Sequence, residues 1–181
     1  MECENYRSRA ITILNAAYKV LSQIVFRRLS PLAWRFVGSY QAGFVGGRAT
    51  TDQIFTLRQI LQKCRKFQVP THHLFIDFKA TYDTIDRVEL WKTMDENGFP
   101  AKLTRLIKAT MDGVQCCVKI SGALSSLFET RKGLRQGDGL SCLMFNIALE
   151  GVMKRAASSS ASLMTWTRGR SFRSTRLNNF Q

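Results

Sequence analysis

The sequence predicts an α+β fold, and three patterns carry that prediction. Apolar residues recur at three- and four-residue spacing in several long segments, which is the period of a helix with one buried face. A compact apolar run, His73 to Phe78, interrupts them. From Val114 onward the period changes to strict alternation, the mark of a strand with one face inward. With 181 residues, 45% of them hydrophobic and 22% charged, the chain is long enough to bury a sizeable core.

The elements follow in order. Ile11, Leu14, Tyr18, Leu21, Val25 and Leu29 line one helical face, which Pro31 should end because proline lacks an amide donor. The glycine-bearing stretch QAGFVGGRATTD comes next. Its Thr51 or Asp52 is the expected N-cap of a second helix with Ile54, Leu57, Leu61 and Cys64 on one side. Pro70 resets the chain, and His73 to Phe78, too short for a core helix, reads as a buried strand. Asp86 to Asn97 and Lys102 to Asp112 read as helices joined at Gly98-Phe99-Pro100. Val114, Cys116, Val118 and Ile120 alternate with polar or smaller neighbours, and Ser121-Gly122 turns the chain back through Leu124 to Thr130 as a β-hairpin. Leu140, Leu143, Met144, Ile147, Ala148, Gly151 and Val152 trace a last helical face. The low-complexity AASSSAS and a tail without periodicity follow, and there are no internal repeats.

Charge points to a partner class. There are 27 Lys and Arg against 13 Asp and Glu, a formal net charge of +14, which is the footprint of a polyanion binder, with nucleic acid first. All 13 acids precede Lys154, so residues 154–181 are purely basic. The five cysteines, Cys3, Cys64, Cys116, Cys117 and Cys142, form neither a C-x-x-C pair nor a zinc spacing and read as free thiols. No apolar run reaches the roughly 18 residues a bilayer span needs, and MECENYRSR lacks a secretory core. The expectation is a soluble, intracellular chain with no membrane partner.

Two segments could carry chemistry. Asp77 sits within an apolar strand, where a carboxylate costs several kcal/mol unless it is paired or bound to metal. A satisfied structural acid and a metal ligand both answer that. Asp83 and Asp86 read more simply as acids at a helix start. Arg131 to Gly139, RKGLRQGDG, gathers three basic side chains and three further glycines just before a helix. Such a loop lets backbone amides and the helix dipole approach a phosphate.

These residues resemble a known family. FIDFKATYD, Phe75 to Asp83, resembles the first catalytic motif of reverse transcriptases of non-LTR, LINE-type retrotransposons, and GLRQGDGLSCLMFNIALE, Gly133 to Glu150, resembles their next motif. NYR with ITILNAAYKVLS, and QAGFVGGRATTDQI, resemble the two upstream finger motifs. The resemblance implies a partial right-hand polymerase, with fingers over residues 1–70 and part of the palm over 71–156. Asp77 would then be the catalytic ligand of Mg²⁺. Tyr82 would be the steric gate under the incoming nucleotide's sugar, and Gln136 and Gly137 would pack against nucleotide and template. Arg7 would reach the triphosphate and Arg48 the template phosphates. An RNA template, a DNA primer and deoxynucleotide triphosphates are the implied partners.

One part of the family's pattern does not recur. Two divalent ions about 3.5–4 Å apart need several carboxylates to hold them, and the family draws the second set from a Phe/Tyr-Ala-Asp-Asp hairpin. The sequence has no such tetrapeptide and no Asp or Glu after Glu150. SLMTWT, Ser162 to Thr167, offers a reason: with TCN serine and CTN leucine codons, a one-nucleotide shift allows Phe-Ala-Asp-Asp-Leu-Asp. Residues 157–181 are thus expected to be an irregular basic tail, out of frame or disordered. The thumb and the Asp-Asp hairpin are expected to be lacking, the chain to be inactive as a polymerase, and the LFIDF strand to be an exposed edge. A non-catalytic nucleic-acid binder and a pseudogene product without function are the alternatives.

Overall fold

The computed structural model describes residues 12–78, 80–159 and 170–174. They fall into two compact units, one of residues 12–31 with 80–145 and one of 32–78 with 146–159 and 170–174. Helices dominate, with three two-stranded sheets, so the α+β class holds.

Helix α1 runs Ala16–Phe36. Asn15 starts it, its Oδ1 accepting from the Tyr18 amide at 2.7 Å, as an N-cap should. The expected stop at Pro31 does not occur, and the proline lies inside the helix. An interior proline costs about 3 kcal/mol or more, yet Leu29, Ala33 and Val37 on either side of it are all buried. Burial of that stripe offsets the lost amide bond.

In the first unit, helix α3, Arg87–Glu96, begins at Asp86, whose Oδ1 accepts from the Val88 amide at 2.8 Å. The structural role expected for Asp86 is therefore realised. Helix α4, Ala101–Met111, follows the Gly98-Phe99-Pro100 corner and packs on α3. Leu90, Met94, Ile107 and Met111 are buried within it. The single hairpin expected after Val114 is two short ladders, β2 Gln115–Cys116 with β5 Phe128–Glu129, and β3 Lys119–Ile120 with β4 Ala123–Leu124. Between them the Val118 amide donates to Ser125 Oγ at 2.9 Å, so a side chain takes the place of a ladder partner. Ser121 and Gly122, at φ 48° and 87°, make the two-residue turn that matches strand twist. Ile120 and Leu124 are exposed, so this ribbon buries neither end. Helix α5, Gly139–Ser159, supplies Leu140, Leu143, Met144 and Phe145 to this unit's core. It continues past residue 156, where the sequence placed no element.

In the second unit, helix α2, Thr50–Lys66, starts at Ala49 rather than Thr51 or Asp52. Asp52 acts from inside the first turn instead, its Oδ2 accepting from the Ala49 amide at 3.3 Å. The apolar face expected to be covered is open: α2 has no buried residue. Strand β1, His73–Asp77, pairs antiparallel with β6, Arg170–Ser174, which sets Phe75 opposite Phe172 and Asp77 opposite Arg170. β6 lies within the tail that was expected to be irregular. β1 was expected to be buried, but Phe75 is 60% and Phe78 40% exposed. A ribbon of two strands has no third layer to close its faces, which is the physical reason.

Candidate nucleotide and template site

The first unit builds a loop with several anchors. Gly133, at φ 82°, lies so close to the turn after β1 that a Cβ there would stand 2.8 Å from Asp83 O and 2.9 Å from Tyr82 O. Its amide donates to Ile85 O at 2.8 Å and the next amide, Leu134, to Tyr82 O at 2.6 Å. Two predicted motifs, FIDFKATYD and GLRQGDG, are thereby sewn together through their backbones. Ala80, a non-glycine residue at φ 49°, opens that turn, an uncommon conformation for alanine.

Tyr82 is half-buried, its ring 5.3 Å from that of Phe145 and its hydroxyl donating to Cys142 Sγ at 3.5 Å. Gln136 is also half-buried, with its carbonyl accepting from the Thr12 amide at 3.0 Å, and Gly137 is exposed. The structure thus brings the Tyr82 turn and the Gln136-Gly137 loop together, two residues of chain away from the Leu134 bond. Arg7 lies outside the described residues.

The anchors behind the loop are residues that were not among the expected site residues. Arg87 is buried, and its guanidinium donates to Gly133 O (2.9 Å), Met111 O (2.9 Å), Thr130 O (2.8 Å) and Lys132 O (3.2 Å). Burial, followed by the charge of Arg135, lowers its pKa from the usual value. A signal existed: a cation in the first turn of a helix opposes the helix dipole, so Arg87 right after its cap needed another reason to be there. On the other side of the loop, Tyr18 donates to Asp138 Oδ2 at 2.8 Å and lies under the Arg135 guanidinium at 4.5 Å.

The second unit holds Asp77 and Arg48. Asp77 ends β1 and is exposed, not enclosed in apolar surroundings as expected. Arg48 folds onto its own loop, Nη1 donating to Gly38 O at 2.9 Å and Gln41 O at 2.8 Å. That loop is held further by Asn146 Nδ2, which donates to Gly43 O at 3.0 Å. Nearby in this unit, Tyr40 donates to both oxygens of the buried Glu150 at 2.8 Å, and Lys154 Nζ stands 4.0 Å from the same carboxylate.

Among the described residues no three His, Cys, Asp or Glu side chains gather as a metal site. No helix among the described residues is long and apolar enough to cross a membrane.

Burial raises the pKa of Tyr18, Tyr40 and Tyr82 above the usual 10.0, and the bonds to Asp138, Glu150 and Cys142 add to it. A group whose folded pKa is raised holds its proton longer than in the unfolded chain. Its stabilisation is complete below the unfolded value and is lost as pH rises above it. Stability should be level with respect to these groups up to about pH 9 and fall beyond about pH 10. Urea midpoints across that range, followed with tyrosinate absorbance, check this; an unchanged midpoint up to about pH 11 would refute it.

The chain matches the family profile described as reverse transcriptase (RNA-dependent DNA polymerase) over residues 3–165. It is 25% identical over 142 residues, 78% of its own length, to an uncharacterized 149 kDa protein of transposon TX1 from Xenopus laevis, covering 11% of that protein. It is 22% identical over 147 residues, 81% of its length, to a retrovirus-related Pol polyprotein from a type-2 retrotransposable element of Drosophila melanogaster, covering 14% of it. A probable RNA-directed DNA polymerase from transposon X-element of the same fly is 22% identical over 139 residues, 76% of this chain and 15% of that protein. The chain thus spans a small part of each relative's length. Matched from residue 3 to residue 165 and akin to proteins of retrotransposable elements, the chain belongs to the reverse transcriptase family, as a domain of the non-LTR, LINE-type kind.

Proposed function

We propose that the chain is the fingers (1–70) and part of the palm (71–156) of a retrotransposon's RNA-directed DNA polymerase, and that these 181 residues by themselves do not polymerise. The observation that carries the ancestry is the seam between the Tyr82 turn and the Gly133-Leu134 backbone, because it sets the two matched motifs side by side. In this reading Tyr82, Gln136 and Gly137 face the incoming nucleotide and Arg7 its triphosphate. Arg48 faces the template, and Asp77 is the remaining ligand for Mg²⁺. Inactivity follows from the acids: two-metal phosphoryl transfer needs several carboxylates, and none follows Glu150. Residues 157–181 would be read out of frame, with the Asp-Asp hairpin in the neighbouring frame. The coding DNA across Ser162 to Thr167 decides that point, since an adjacent frame without Ala-Asp-Asp removes it.

Primer extension tests the activity. Purified 1–181, given an RNA template, a DNA primer, the four deoxynucleotides and Mg²⁺, should give no product above a no-protein control. Extension by several nucleotides that an Asp77→Ala change abolishes would overturn the reading. The net charge of +14 favours a second reading, a non-catalytic nucleic-acid binder. In that case affinity for an RNA–DNA hybrid should fall steeply with salt and be unaltered by Asp77→Ala, because phosphate contacts need no metal ligand.

A further inference from the structure

We infer that Tyr18 is the positioning residue of the Gln136-Gly137 turn, acting through both residues that flank it. The inference rests on the proposed nucleotide-facing role of that turn and adds a residue to it. Tyr18 enters α1 just after its cap, with its amide bonded to Asn15 Oδ1 at 2.7 Å, so its side chain departs from a fixed point. From there it makes two different contacts. The ring lies under the guanidinium of Arg135 at 4.5 Å, within the range of a cation–π contact. The hydroxyl donates to Asp138 Oδ2 at 2.8 Å.

Each flanking residue is held a second time. Arg135 Nη2 donates to Thr110 O. Asp138 is buried, and its Oδ1 accepts from the Leu140 amide at 3.1 Å at the start of α5. The Gln136 carbonyl takes the Thr12 amide, three residues ahead of the Asn15 cap. Positions 135, 136 and 138 are thereby referred to the beginning of α1, and Gly137 is the exposed point between them. Burial keeps the Tyr18 hydroxyl protonated well past neutrality, so it remains a donor. Phenylalanine would preserve the ring contact and lose the hydroxyl; leucine would lose both.

The test compares the 181-residue chain with Tyr18→Phe, Tyr18→Leu and, as a control for general loosening of α1, Val25→Ala. Hydrogen exchange is read at the amides of residues 135–139 and of α3 and α4. Tyr18→Phe should speed exchange at 135–139 about tenfold, from loss of one hydrogen bond to a charged group, with α3 and α4 unaltered. Tyr18→Leu should speed it further. Val25→Ala should act on all regions alike. Equal exchange at 135–139 in wild type and Tyr18→Phe overturns the inference, and Phe alone decides the matter if the Leu variant does not fold. In a second arm, fluorescence anisotropy with a recessed RNA–DNA hybrid should show about tenfold weaker binding by Tyr18→Phe. Unchanged binding despite faster exchange overturns the positioning role. A wild-type chain that binds no hybrid removes the proposed function, while the exchange result still stands or falls on its own.

Discussion

Arg87→Met is expected to lower the unfolding free energy by about 3–4 kcal/mol, read as a shift of the urea midpoint at constant slope. The side chain is 8% exposed and serves four backbone carbonyls, those of Met111, Thr130, Lys132 and Gly133. A hydrogen bond from a charged donor is worth roughly 1.5–3 kcal/mol, and acceptors left buried without it lose their compensation for desolvation. Not all of that is forfeited, because carbonyls at the rim can take water. Methionine approximates the aliphatic stem and so isolates the guanidinium. Arg87→Lys should recover only part of the loss, since one ammonium cannot span four acceptors set around a planar fork. A loss below about 1 kcal/mol for the Met variant would mean the four carbonyls find other donors and the clamp is incidental.

Gly133→Ala is the second large effect, about 2–4 kcal/mol. Two penalties combine. At φ 82° an L side chain is strained, by roughly 1–2 kcal/mol. The new methyl would also meet Asp83 O at 2.8 Å and Tyr82 O at 2.9 Å, and these are backbone atoms that cannot swing aside. The turn must therefore part from the loop, breaking the Leu134–Tyr82 and Gly133–Ile85 bonds. Circular dichroism should show the helices retained, with a lowered melting temperature and tryptic cleavage newly admitted at Arg131 to Arg135. Should Gly133→Ala melt within about 2 °C of wild type, the close approach is not a constraint on folding.

Local signals made much of this legible. Asp86 as a cap, the Gly98-Phe99-Pro100 corner and the apolar helix from Leu140 each depend on residues within a few positions of one another, and chain-local chemistry is what periodicity and capping report. The glycine-rich loop before α5 was visible for the same reason. What could not be read depended on distant chain. Pro31 failed as a stop because burial of Ala33 and Val37 outweighs a local preference. The exposure of Asp77 and the open face of α2 are set by which elements cover them, which no window of sequence contains. Arg87 carried no expected role, because its partners are carbonyls 24 to 46 residues away. The acid ending β1 drew attention by its apolar neighbours, yet the structure surrounds the aromatic pair Tyr82 and Phe145 more closely than it does Asp77.

The ribbon of β1 and β6 also has a history in time. Its register joins Asp77 to Arg170 and His73 to Ser174, closing a loop of roughly 90 residues at an entropic cost of about 4 kcal/mol. On a ribosome adding about 5–20 residues each second, β1 emerges roughly 5–20 s before its mate exists. Throughout that interval the Phe75-Ile76 stretch has neither edge occupied, which makes the nascent chain, rather than the finished protein, the form most in need of a chaperone.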